Sequence, residues 1–190
     1  MKKRFRPACK TAVLTIGKDR LRVAWTNSGI AAVERETLTT KRDLKRRVKM
    51  DLVEASPPPV FRQFLVLATN GKAEEVPVDL AWAKDFERDV LEATRRIPYG
   101  QTRSYSWLAR EARRPLAVRA AATTMARNPL WLLVPCHRVI HADGSIGSYG
   151  NGAVGQARKC ALLEQEGVRL ASPTPRAKKR SKKQARTTHR

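Results

Sequence analysis

The chain has 190 residues, 42% of them hydrophobic, and a formal net charge of +22. That apolar content suits one generous domain or two small ones with cores, and the charge makes a polyanion, above all nucleic acid, the expected partner, since each neutralised phosphate releases counterions. Three cysteines without Cys-x-x-Cys spacing argue against a disulfide scaffold, and the lack of a long apolar run argues against a signal peptide or membrane span, so an intracellular setting without membrane partners is expected.

In chain order, Thr11–Ile16, Arg20–Thr26 and Ile30–Glu34 are short β-type runs separated by Gly17-Lys18-Asp19 and Asn27-Ser28-Gly29, and they predict a β-meander. Lys41–Glu54 is predicted helical, with Leu44, Val48 and Leu52 on one face, and Ser56-Pro57-Pro58-Pro59 breaks it. A second helix over Phe61–Thr69 stops at Asn70-Gly71, and Glu75–Asp79 is predicted to be a last short strand.

From Trp82 the pattern turns helical, with Phe86, Val90, Leu91 and Ala93 along one side as far as Arg96, and Ile97-Pro98-Tyr99-Gly100 ends it. Ser104–Ala112 and Ala117–Ala126 are two short helices joined by Arg113-Arg114-Pro115-Leu116, a helix-turn-helix pattern. The second is nearly all Ala and Thr around Arg119; small side chains permit close approach to a partner, here a DNA groove, although an Ala-rich helix also suits a crowded core. Arg158–Glu166 is a final helix after a glycine-rich loop, His141–Gly152, and residues 171–190, with eight Lys or Arg and little apolar content, are expected to be disordered.

The apolar run from Asn128 to Ile140 carries the chemistry. Trp131–Val134 is predicted to be a short buried strand that Pro135 halts, after which Cys136 emerges beside His137 and Arg138. A lone cysteine more often only fills a core. Flanked by proline and two cationic side chains, this one is expected to ionise readily to the nucleophilic thiolate.

Taken together, Ile97-Pro98-Tyr99-Gly100, Ser104-Tyr105, Arg119, Asn128-Pro129, Pro135-Cys136-His137-Arg138-Val139 and Gly147-x-Tyr149 resemble the O6-alkylguanine-DNA alkyltransferases over roughly residues 82–167. The resemblance implies a single-turnover DNA repair protein that moves an alkyl group from guanine O6 in double-stranded DNA onto Cys136 and keeps it as a thioether. It implies that His137 takes the thiol proton through a water, that Glu166 orients His137, that Tyr105 donates to the departing guanine, and that Asn128 braces the active-site segment. Arg119 would fill the gap left by the flipped nucleotide. Ala120, Thr123, Arg138 and Ser104 would accompany it on the DNA side, while Pro135, Tyr149 and Gly150 would line the alkyl pocket.

The expected fold class is therefore α+β: an N-terminal α/β domain over residues 1–80, a mostly helical domain with a helix-turn-helix over 81–170, and a basic tail over 171–190. No cofactor is expected, and no zinc, because Cys9 lacks partners for such a site. The stretch between Tyr149 and Glu166 is longer than the family pattern, and Gly150–Gly155 is expected to form a loop in the wall of the pocket. A monomer is expected, in the nucleus if the cell has one, since Lys178–Lys183 resembles a nuclear signal. Competing readings are a non-catalytic lesion-binding relative, a DNA or chromatin binding module driven by the tail, and a Cys-His hydrolase, for which no oxyanion site is visible.

Overall fold

A computed structural model describes residues 8–147, 149–150 and 152–169; the basic segment 171–190 lies outside the described residues. The predicted meander is present. Strands β1 (Ala8–Ile16), β2 (Asp19–Thr26) and β3 (Gly29–Arg35) pair antiparallel through tight turns. Gly29 is required where it stands: it has φ 148°, and a Cβ there would lie 2.8 Å from the Pro77 carbonyl.

Strand β2 is buried from Leu21 to Trp25 because both faces of the sheet are covered. Leu21, Val23 and Trp25 point to one side and pack with Phe61 and Leu65, while Ala24 points to the other and packs with Leu44 and Val48. This is the two-residue alternation of a strand, used twice.

The helix predicted over Lys41–Glu54 is two elements. Helix α1 (Thr40–Val48) buries Thr40, Leu44 and Val48 and ends where Lys49 turns left-handed at φ 57°. Residues Asp51–Glu54 then form β4, parallel to β1, with Ala8 opposite Asp51 and Thr11 opposite Glu54. The open edge of β1 offers ladder hydrogen bonds that outweigh helical periodicity, and Lys41 holds the strand to the helix through Glu54 at 2.8 Å.

Helix α2 (Val60–Thr69) starts directly after Pro59 and turns Phe61, Leu65 and Ala68 inward. The strand predicted over Glu75–Asp79 is reduced to one isolated bridge, Ile30 to Val78, preceded by a 3-10 turn at Ala73–Glu75. Pro77 has no N–H to extend a ladder, and Asp79 turns its carboxylate to Thr26 and to the Ala81 N–H.

Helix α3 (Asp85–Arg95) is followed by β5 (Arg103–Ser104), α4 (Tyr105–Glu111) and α5 (Val118–Ala126). Ser104 caps α4 by accepting from the Trp107 N–H at 3.1 Å. Strand β6 (Val139–Ile140) pairs parallel with β5, and so brings the residues before α4 beside those that follow Cys136. Helix α6 (Gly152–Gln165) begins well before the predicted start at Arg158, so most of the expected loop wall at Gly150–Gly155 is its first turn. The missing Cβ of Gly155 explains this: the helix lies directly against the Tyr149 carbonyl, where no larger residue fits.

Among the described residues the protein is thus a mixed α and β fold of one four-stranded sheet, a two-stranded pair and six helices. The larger core cluster is continuous from Trp25 and Leu65 through Leu91 and Leu108 to Val134 and Val139. The Val33 N–H of β3 also donates to the Pro129 carbonyl at 2.8 Å, so the sheet reaches the segment that carries the cysteine. No helix among the described residues is long and apolar enough to cross a membrane.

Candidate active site

Trp131–Val134 is a turn and not the predicted strand. The buried Asn128 side chain grips both ends: its Oδ1 accepts from the Leu130 N–H at 2.9 Å, and its Nδ2 donates to the Val134 carbonyl at 3.1 Å. The Val134 N–H closes back on Leu130 at 2.7 Å. Leu130, Leu133 and Val134 are fully buried, as a buried strand would require, but the side-chain clamp supplies the backbone partners a ladder would have given.

Cys136 follows on a 3-10 turn, 5% exposed, with its Sγ 3.8 Å from the Tyr149 hydroxyl. It sits in a cavity of about 360 Å³ that also exposes Tyr105, Met125, Asn128 and Gly150. Burial pushes the thiol up from its ordinary range, opposed by hydrogen bonding from Asn128 and Tyr149 and by the charge of Lys159. The expectation that His137 and Arg138 would ionise it by proximity is therefore corrected, because the cation that lowers the thiol is Lys159 and not these two side chains.

They turn toward Glu166. His137 Nε2 lies 2.7 Å from Glu166 Oε1, and Arg138 Nε lies 2.8 Å from Oε2. Gly100 donates its N–H to the same carboxylate at 3.1 Å, and a second Arg138 nitrogen donates to the Ile97 carbonyl at 2.7 Å. Burial alone would raise the Glu166 carboxyl, but His137, Arg138 and the Gly100 N–H override it and bring the carboxyl down to about 2. His137 Nδ1 is left buried without a hydrogen-bond partner among the described residues, the nitrogen of that ring available to handle a proton.

Tyr105 is 7% exposed, and burial, with Cys136 nearby, raises its hydroxyl and keeps it a neutral donor. Pro135, expected in the alkyl pocket, instead lines a separate cavity of about 240 Å³ on the side of His137 and Glu166. Arg138, expected among DNA-facing residues, is 4% exposed and committed to Glu166. Ser104 is half-buried and spends its hydroxyl on the helix cap. Arg119, Ala120 and Thr123 share the exposed side of α5, where Thr123 donates to the Arg119 carbonyl at 3.0 Å.

The residue that sequence reasoning missed is Lys159. It is completely buried, donates to the carbonyls of Val139 and Ile146, and lies 5.8 Å from the Tyr105 ring and 5.9 Å from that of Tyr149. Burial lowers its ammonium to about 8. The available signal was periodicity, since Lys159 is four residues after Gly155 and four before Leu163, on the inward face of α6. Among the described residues no group of three or more His, Cys, Asp or Glu could hold a metal ion.

The family model for the DNA-binding domain of 6-O-methylguanine DNA methyltransferase matches residues 85–168. The methylated-DNA–protein-cysteine methyltransferase of Mycobacterium leprae is 41% identical over 97 residues, 50% of this chain and 57% of that protein. The matched stretch thus spans little more than half of that relative. The crystal structure of Mycobacterium tuberculosis O6-methylguanine methyltransferase is similar with a TM-score of 0.58 at 31% identity, covering 84% of this chain and 92% of the other. A second structure of the Mycobacterium tuberculosis protein, in complex with DNA, has a TM-score of 0.57 at 32% identity, with 84% and 92% covered.

Proposed function

Because the chain belongs to the O6-methylguanine-DNA methyltransferase family, we propose that it repairs DNA by moving an alkyl group from guanine O6 to Cys136, once per molecule. The observation that carries this reading is the placement of the Cys136 sulfur, in a cavity between Tyr105 and Tyr149, with a His137–Glu166–Arg138 chain on its far side.

The sulfur–carbon bond forms as the O6–carbon bond breaks. A buried thiol held above its ordinary range needs a proton acceptor, and His137 Nδ1 serves through an intervening water while Glu166 stabilises the resulting imidazolium. The Lys159 ammonium draws the thiol toward its anion. Tyr105, neutral and buried, donates to the purine as negative charge develops there. A thioether does not revert under cellular thiols, so each molecule acts once.

The target base cannot be reached inside a duplex and must be flipped out. In this reading α4 and α5 are a helix-turn-helix, with α5 entering the groove through Arg119, Ala120 and Thr123. Residues 1–80 form a supporting domain, residues 81–170 the reacting one, and the basic tail tethers DNA. The protein works as a monomer inside the cell and takes no cofactor.

Incubation with a duplex carrying O6-methylguanine, followed by peptide mass mapping, tests this. One methyl per molecule on Cys136, and none in Cys136→Ala with duplex affinity retained, is the expected result. Methyl on Cys9 or Cys160, or binding of the lesion without transfer, overturns it.

A further inference from the structure

The cavity in front of Cys136 has two unlike walls. Tyr105 and the α5 residues Ala122, Met125 and Ala126 make one side apolar, whereas the other side presents Glu34, Arg35, Arg47 and Arg158, three guanidinium groups against one carboxylate. A methyl group on O6 makes no use of that charge.

The charged wall is already partly paired. Arg47 binds Glu34 at 2.6 Å, and Arg35 reaches Asp19 at 3.3 Å while lying 5.8 Å from the centre of the Trp131 ring. Arg158 makes no salt bridge among the described residues. It is half-buried on α6, and its guanidinium rests 4.9 Å from the centre of the Trp131 ring, a cation–π interaction that fixes it at the wall. Its charge is felt by Glu34, but no carboxylate pairs with it among the described residues, and a fixed guanidinium so placed is a fork shaped for one.

Resting on the function proposed above, we propose that Arg158 is a specificity-determining residue that admits O6 substituents ending in a carboxylate, such as carboxymethyl. A base entering past α5, with its O6 carbon at the Cys136 sulfur, directs the far end of a longer substituent to the opposite wall. The chemistry is unchanged: sulfur bonds to the methylene carbon, the O6–carbon bond breaks, and the carboxylate stays on the new thioether. No further reactant is needed.

Single-turnover rates on duplexes carrying O6-carboxymethylguanine and its uncharged, equally sized amide, O6-carbamoylmethylguanine, test the assignment, with O6-methylguanine as reference. A charge-assisted pair predicts that Arg158→Gln lowers the carboxymethyl-to-amide rate ratio by about tenfold or more. Arg158→Lys should restore part of that ratio, and Glu34→Gln, which removes the wall's one anion, should raise it. If Arg158→Gln slows all three substrates equally, Arg158 serves DNA binding or packing and the inference falls. An unchanged ratio overturns it as well. If the wild-type protein transfers methyl to Cys136, either failure leaves the underlying function standing; if it transfers no methyl, that function and this inference fall together.

Discussion

His137 and Glu166 meet through Nε2 and Oε1 at 2.7 Å, and the same carboxylate is held by Arg138, so the imidazole is fixed with Nδ1 unpartnered among the described residues. Glu166→Gln should slow alkyl transfer at neutral pH by roughly ten- to a hundredfold, up to the low end of what positioned general bases contribute, since it disturbs the base without removing it. Single-turnover kinetics with free alkylguanine, which needs no DNA, would measure it. The variant also alters acid stability. A carboxyl lowered from 4.5 to about 2 on folding stabilises the protein fully above the unfolded value and loses that contribution as pH falls toward 2. The urea midpoint of the wild-type protein should therefore decline between about pH 4.5 and 2 more steeply than that of Glu166→Gln.

Arg119 stands on the exposed side of α5 with no salt bridge among the described residues. Arg119→Ala should slow repair of duplex DNA by about tenfold or more, a share of the few kcal/mol that base extrusion costs, and should leave reaction with the free base nearly unchanged. Equal slowing with both substrates would place Arg119 in the chemistry or the fold.

Gly155 has no room for a side chain, because a Cβ would overlap the Tyr149 carbonyl. Gly155→Ala should cost about 1–3 kcal/mol of stability, as overpacking does, and should also move Tyr149 away from the Cys136 sulfur. The expected readout is a lower Tm together with slower alkyl transfer. Val154→Ala, at a neighbouring side chain 79% exposed, should change neither appreciably.

Residues 171–190 carry eight cationic side chains and no acidic one. Truncation at Ala171 should leave reaction with the free base intact and should flatten the dependence of DNA affinity on salt, by about 0.9 log units per log unit of salt for each phosphate that the tail no longer neutralises. Lesion and undamaged duplex should weaken alike. An unchanged slope would assign the tail to targeting.

The elements that could be read from sequence are those whose partners are local. The meander shows in its turn residues, and Cys136, His137 and Asn128 lie within one short run. The Lys41–Glu54 stretch misled because its helical periodicity is real as far as Val48, and only the free edge of β1 makes Asp51–Glu54 a strand. Trp131–Val134 misled because burial was inferred correctly but the Asn128 clamp, a side-chain device, is invisible to periodicity. The environment of Cys136 is set by neighbours in space and not in sequence: His137 and Arg138 face Glu166, while the cation that acts on the sulfur is Lys159 from another element.

The hydrogen bond from the Val33 N–H to the Pro129 carbonyl joins the sheet to the reactive segment through main-chain atoms alone. Such a joint places no demand on which side chains flank it, beyond leaving β3 a strand and position 33 something other than proline. That one contact thus tolerates changes of side chain in β3, while the side-chain core running from Trp25 and Leu65 to Val134 and Val139 supplies the rest of the seating. The likeness to the Mycobacterium tuberculosis structure, which covers 84% of this chain at 31% identity, runs across that joint.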